Sequence, residues 1–227
     1  MKSNAVGLIL PPWARFTPVS EEDFIASMYE NIHYINELPS RYKAGMSYFD
    51  QAIWEGTEEQ RLLLKEYYGF FGLLESFYLY AEKGISSSDY KYKFGEDDFV
   101  FAIEPLAILH SLKEWHGVGT WAAEKIVYKA FARIKLDTQI DLETIEKEFP
   151  TIGSGFLPMA HKQHLTLVEV ALLAGVSTIR SIRNATYDKV SPLSTIKEGG
   201  NVLVTVDEAK HWLAKRPKFV PTQNIGE

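Results

Sequence analysis

One glycine and one glycine pair, set among short apolar runs between Leu165 and Arg216, constrain this chain more than any other feature. The run LTLVEVALLAGVSTIRSIRNA reads as two short helices joined at Gly175, where the turn needs a residue tolerant of positive φ. Thr166 caps the first helix, and Glu169 three residues on completes a capping box. Val170, Leu173 and Ala174 line one face at helical spacing, and Ala171 is small enough for a second helix to cross closely. Ser177 is expected to cap that second helix, with Ile179 and Ile182 facing inward. Two β-type runs follow, Ser194–Lys197 and Val202–Val204, joined by the hairpin turn Glu198-Gly199-Gly200-Asn201. Thr205 then caps a further helix, with Glu208 closing a second capping box, Ala209, Trp212 and Leu213 as the apolar stripe, and Pro217 as the stop.

With Ile179 and Ile182 inward, the second helix turns Thr178, Arg180, Ser181, Arg183 and Asn184 outward. Arg and Asn are the side chains that pair bidentately with guanine and adenine in the major groove. In order and spacing the segment resembles the MerR-like and excisionase-like winged helix-turn-helix DNA-binding domains, on Ala171, Gly175, Val176, Ser177, Gly199, Gly200, Val202, Val204, Trp212 and Leu213. It departs from them in two places. The apolar position of the second helix falls at Ile182, with Ser181 in the customary place, and the wing carries Glu198 where a basic residue suits phosphate better. The resemblance covers about a quarter of the chain. It implies that Thr178, Arg180, Ser181, Arg183 and Asn184 meet DNA, that Lys197 and Asn201 on the wing touch the neighbouring backbone, and that two copies span a palindromic site.

The charge distribution agrees with that reading although the 227-residue chain has a net charge of −6. From Ala160 to Phe219 nine Lys/Arg stand against five Asp/Glu, leaving +4, while the remainder holds 15 basic and 25 acidic residues, or −10. An acidic body disfavours DNA and directs it to the basic module. With no cysteine, the chain forms no disulfide, no Cys-ligated zinc site and no thiol nucleophile. The opening run MKSNAVGLILPPWARF is broken by Pro11 and Pro12 and does not read as a signal peptide, and no stretch has the length of a membrane span. A cytoplasmic, nucleoid-associated protein is expected.

Residues 1–150 read as an acidic, nearly all-helical domain for dimerisation, sensing or partner binding, 151–164 as a linker, 165–217 as the winged helix-turn-helix and 218–227 as a loosely held tail. The fold class expected is thus mainly α: an N-terminal helical bundle plus a C-terminal winged helix-turn-helix with a small β-hairpin. Ser20 caps a helix Glu21–Leu38, with Phe24, Met28, Ile32 and Ile35 inside and Pro39 as its stop. A second helix is expected over about Arg41–Trp54. Thr57 and Gln60 then open one long helix, Glu58–Lys83, ended by Gly84. Its rings, Tyr67, Tyr68, Phe70, Phe71, Phe77, Tyr78 and Tyr80, fall on more than one face, which makes it central in the bundle or a subunit contact. A polar loop Ser86–Asp98, helices Pro105–Trp115 and Thr120–Arg133, and a last short helix Ile140–Phe149 complete the region.

The run WHGVGTWAAEKI also resembles a helix-hairpin-helix, on Gly117, Val118, Gly119, Ala123 and Ile126, with Trp121 where a basic side chain is common. That resemblance implies phosphate binding at the Gly117–Gly119 hairpin, while a plain αα-hairpin accounts for the same glycines. No catalytic constellation is legible. His161 and His164 could share a helical face but have no acid at a metal-ligand spacing, His110 and His116 flank Glu114 without a nucleophile pattern, and paired acids such as Glu21-Glu22 sit at helix starts. No metal, cofactor or small-molecule effector is read from the sequence. The expected function is sequence-specific binding of double-stranded DNA by a homodimer, as a transcriptional regulator or excisionase-like factor. A second reading gives the N-terminal region a nucleic-acid-processing activity that the winged helix only targets. A third has the winged domain bind protein.

Overall fold

The capping signals set the element boundaries. In a computed structural model that describes residues 16–44, 53–87, 121–137, 164–198 and 200–225, Ser20 Oγ accepts the Asp23 amide (3.0 Å) and opens α1, Glu21–Ala44, whose first turn is acidic. Phe24, Met28 and Ile32 are buried along it, and Ile35 is half-buried. The helix does not stop before Pro39 as expected. It runs through the proline to Ala44, even though the ring removes one backbone donor and crowds the preceding turn, at about 3 kcal/mol. Tertiary contacts hold the turn before it. Ile32 and Tyr34 are buried, and Asn36 Oδ1 accepts the Tyr67 hydroxyl at 3.2 Å.

Thr57 and Gln60 form the expected capping box and open α2, Glu58–Glu66. Gln60 does more than close the box, since its amide donates to Ile53 O (2.8 Å) and its Oε1 accepts the Glu55 amide (2.8 Å). The single long helix of the sequence reading is interrupted twice. Tyr67 (φ −96, ψ 30) separates α2 from α3, Tyr68–Tyr78, and the last turn, Leu79–Lys83, is π-helical before Gly84 ends it in the left-handed region (φ 67). A π turn widens the backbone ladder and frees carbonyls. Here the Ala81 carbonyl accepts Arg133 Nη2 (3.1 Å), and the buried Glu82 is carried inward.

The enclosed element is α4, Trp121–Asp137, rather than the aromatic helix. Every residue from Ala122 to Leu136 is buried, including Glu124, Lys125, Lys129, Arg133 and Lys135. The aromatic α3 forms one flank, with Phe77 and Tyr78 buried and Phe24 of α1 stacked on Tyr78 (centroids 4.9 Å apart). α4 runs four residues beyond the expected end.

The C-terminal region begins one element earlier than expected, with the strand β2, His164–Thr166. Then come α5, Leu167–Ala174, α6, Ile179–Ala185, the strands β3, Ile196–Glu198, and β4, Asn201–Thr205, and α7, Val206–Leu213. The three strands form an antiparallel sheet of order β2-β4-β3. Leu165 lies opposite Val204 and Lys197 opposite Val202, so β2 ties the hairpin to the start of α5. Seven α-helices and this small sheet make the described part of the chain mainly helical. Among the described residues no helix is long and apolar enough to cross a membrane.

One apolar core runs through both regions. Phe24, Met28 and Phe77 join Ile126 and Phe131 of α4, which join Val170 and Leu173 of α5 and Trp212 of α7. The buried pair Lys135–Glu169 (2.5 Å) fastens α4 to α5. The tail is not loosely held. Arg133 Nη1 donates to Val220 O (2.8 Å) and Thr222 Oγ1 (3.0 Å), and β5, Gln223–Ile225, pairs in parallel with β1, Ile85–Ser87. Phe219 lies 5.7 Å from the Arg133 guanidinium. At Gly84 the strap passes so closely that an added Cβ would sit 2.3 Å from Pro221 O. The Ser86–Asp98 loop beyond Ser87, the helices expected over Pro105–Trp115 and Ile140–Phe149, most of the Arg41–Trp54 helix, the linker before His164 and Gly199 lie outside the described residues.

Candidate nucleic-acid interface

The first helix of the candidate site is anchored by its own cap. Thr166 Oγ1 accepts the Glu169 amide (3.2 Å) while Glu169 Oε2 accepts the Thr166 amide (2.7 Å), the box read from the sequence. The same carboxylate takes the ammonium of Lys135, so this cap is also the joint to the body. Val170, Ala171, Leu173 and Ala174 are buried. Gly175 turns the chain at φ 60, and a Cβ there would meet Pro18 Cδ at 3.2 Å and Lys218 Cβ at 3.3 Å. The turn is therefore pressed between the segment ahead of α1 and the tail.

α6 starts one residue later than expected. Its N-cap is Thr178, which makes no side-chain capping bond, and Ser177 lies before it, exposed. The register of the inward face is as read: Ile182 is buried and Ile179 half-buried. Thr178, Arg180, Ser181, Arg183 and Asn184 are all exposed, with Thr178 Oγ1 and Ser181 Oγ 3.3 Å apart. Neither the Arg180 nor the Arg183 guanidinium has a hydrogen-bond or ion-pair partner among the described residues. The face thus offers two fixed-charge donor forks, an amide and two hydroxyls to whatever lies outside.

On the hairpin, Lys197 is exposed and Asn201 half-buried. They do not share a face. Lys197 is opposite Val202 and Asn201 opposite Glu198, and neighbouring pairs point to opposite sides of a pleated ribbon. Gly200 takes φ 87 at the tip. Glu198, the departure from a basic wing, reaches His164 Nε2 at 4.0 Å. Glu208 does not close the second capping box. Thr205 Oγ1 accepts the Glu208 amide (3.3 Å), but the Glu208 carboxylate turns to the Ser194 amide (3.0 Å) and pins the start of β3. Trp212 is buried, and the Arg216 guanidinium lies 3.8 Å from its ring centre.

Sequence reasoning passed over the segment between α6 and β3. Its Tyr187, Lys189 and Val190 are exposed, Tyr187 at 85% and Val190 at 93%. Asp188 Oδ1 accepts the Val190 (2.8 Å) and Ser191 (3.4 Å) amides, and these bonds, with a smaller contribution from Arg216, hold its carboxyl below the usual range. The available signal was the apolar residue pair with no periodic partner in a stretch otherwise rich in turn formers. Of the hairpin WHGVGTW, Gly117 and Gly119 lie outside the described residues. Ala123 and Ile126 are buried in α4, and Trp121 is 40% exposed. Among the described residues no three His, Asp or Glu side chains gather as a metal site would need. Comparison with protein-family models, with curated proteins and with solved structures gave no match for this chain.

Proposed function

We propose that residues 165–217 are a winged helix-turn-helix that reads double-stranded DNA, and that the protein is a sequence-specific DNA-binding factor of the regulatory or excisionase-like kind. The observation that carries this is the outer face of α6. Arg180, Arg183 and Asn184 are exposed on a helix fixed by buried Ile182, and the two guanidinium groups are unengaged within the described chain. Unengaged forks on a rigid helix match bidentate readout of base edges. Thr178 and Ser181 supply hydroxyls for phosphate or base, and Lys197 reaches the backbone flanking the groove. The three-stranded sheet supports the reading because β2, which leads into α5, pairs with β4 and so ties the hairpin to the two-helix unit. Because one module reads few base pairs, two copies on a palindrome are proposed, with half-sites about 34–36 Å apart.

The test is selection from a random-sequence duplex library with the full-length protein. Enrichment of a two-fold symmetric site is expected, and Arg183→Ala should weaken binding to that site by about 1–3 kcal/mol and relax the preference at one position. Affinity should fall steeply as salt rises. No enriched sequence, or a flat salt response, overturns the proposal.

A further inference from the structure

The segment 186–195 is ordered without being covered. Tyr187 N donates to Asn184 O (3.0 Å), Asp188 N to Ala185 O (3.3 Å) and Leu193 N to Ala185 O (2.9 Å), so the loop folds back on the last turn of α6. Thr186 Oγ1 adds a bond to Arg183 O (2.8 Å), buried Leu193 roots the loop, and Glu208 holds Ser194. Against this bonding, Tyr187 and Val190 are almost wholly in solvent. A single exposed apolar side chain needs no explanation, but two of them on a pinned loop, beside Lys189 and directly continuing α6, form a defined surface.

The charge of that surface selects its partner. Asp188 is exposed too, but its Oδ1 is taken by two amides of its own loop and Arg216 nearby offsets its charge. Beside it an ammonium, a phenol and a branched alkyl group face outward. An ammonium suits a phosphate, and the ring and methyls suit the apolar face of a deoxyribose. A self-association face is a poorer match. Tyr and Val together offer roughly 300 Å², against about 800 Å² per partner in a stable interface.

We infer that Tyr187, Lys189 and Val190 form a second contact to the DNA, a clamp on the sugar-phosphate strand flanking the groove that α6 enters. The inference rests on the proposed reading of α6, because the loop reaches DNA only when that helix does. It implies a protected site longer than α6 and the hairpin alone would give, extended on the side of the C-terminal end of α6. This contact should carry affinity without sequence preference.

The test uses the full-length protein, a selected duplex with one helical turn of flank on each side, and the same duplex with the flanks removed. Tyr187→Ser, Lys189→Gln and Val190→Ser are compared with Arg183→Ala by fluorescence anisotropy, with thermal melting as the control for folding. Each loop variant should lose about three- to tenfold in affinity on the flanked duplex and keep the same base preference, and Lys189→Gln should lower the salt slope by roughly 0.9. On the flankless duplex the loop variants should match the unmodified protein. If Arg183→Ala weakens binding and the loop variants do not, the clamp is wrong and the α6 reading stands. If the unmodified protein binds no duplex, both fall. If the loop variants instead change the mass of the protein in solution, the surface is a self-association face and the inference is overturned.

Discussion

Helices α4 and α6 carry cations at similar density and use them in opposite ways. α4 has four in seventeen residues and α6 two in seven. All four on α4 are buried, and each is tied to a segment outside α4. Lys125 reaches the Thr17 carbonyl, Lys129 meets Glu82 at 2.6 Å, Arg133 holds Ala81 and the tail, and Lys135 meets Glu169. Both cations on α6 are exposed and free of partners within the described chain. A charge taken out of water must be compensated internally, so α4's cations act as struts. A charge left in water with its donors unassigned is available to a ligand. The difference separates what builds this protein from what it presents.

Breaking a strut should have the largest effect. Glu82→Leu leaves Lys129 buried without its counter-charge and the Val19 amide without its 3.0 Å acceptor, so stability should fall by about 3–5 kcal/mol. Adding Lys129→Met should recover part of that loss. Urea denaturation of the cycle checks this, and a single-mutant cost under about 1 kcal/mol would mean that α4's charges are not structural. Next is Gly84→Ala, which combines a left-handed φ with a Cβ 2.3 Å from Pro221 O. A loss of about 1–3 kcal/mol is expected. Amide exchange at Gln223, which donates to Gly84 O (2.7 Å), should quicken. Unchanged protection there would show that the strap is dispensable.

A smaller effect lies in pH. Burial, with a push from Lys129 and against the pull of Glu82 and Asp23, brings Lys125 from 10.5 down to about 8. Burial lowers Lys129 as well. Between pH 8 and 10.5 the unfolded chain therefore binds protons that the native state has released, and stability should rise with pH across that window. Above pH 10 the trend should reverse, since burial, with Glu21 and Glu82, holds the Tyr78 phenol protonated up to about 12 in the fold. Lys125→Met should flatten the rise between pH 8 and 10 in urea midpoints. An unaltered slope would assign the effect elsewhere. The smallest effect sharpens the other side of the comparison. Arg180→Ala and Arg183→Ala should leave stability within about 0.5 kcal/mol, and a larger loss would make α6's cations struts too.

Local signals in the sequence were reliable wherever a few neighbouring residues decide the outcome. Thr57 with Gln60, Thr166 with Glu169, and Gly175 each act within one turn, and each appears as read. So does the inward register of α6, which a three-residue spacing fixes. The errors came from tertiary contacts. Pro39 ends a helix in isolation, but packing across α1 carries the helix past it. Glu208 completes a capping box on local grounds, but the Ser194 amide competes for its carboxylate. Lys125, Lys129 and Arg133 recur every fourth residue, a spacing that puts them on one face without saying where that face lies. Only the placement of Thr17, Glu82 and Val220 around them makes that face an interior one. The same long-range closure turned the expected loose tail into β5, and it is invisible to any window shorter than the chain.

The clamp on Gly175 has a consequence for synthesis. Pro18 and Lys218 close on that turn from opposite ends of the sequence, and β5 locks only after β1 has long been made. A ribosome-bound chain therefore cannot close the turn between α5 and α6 before Lys218 has been made. The body waits, with part of its apolar surface uncovered, until the β5 segment emerges. A product cut short by a dozen residues would retain every base-reading side chain proposed above, yet lack the buckle that keeps them aimed.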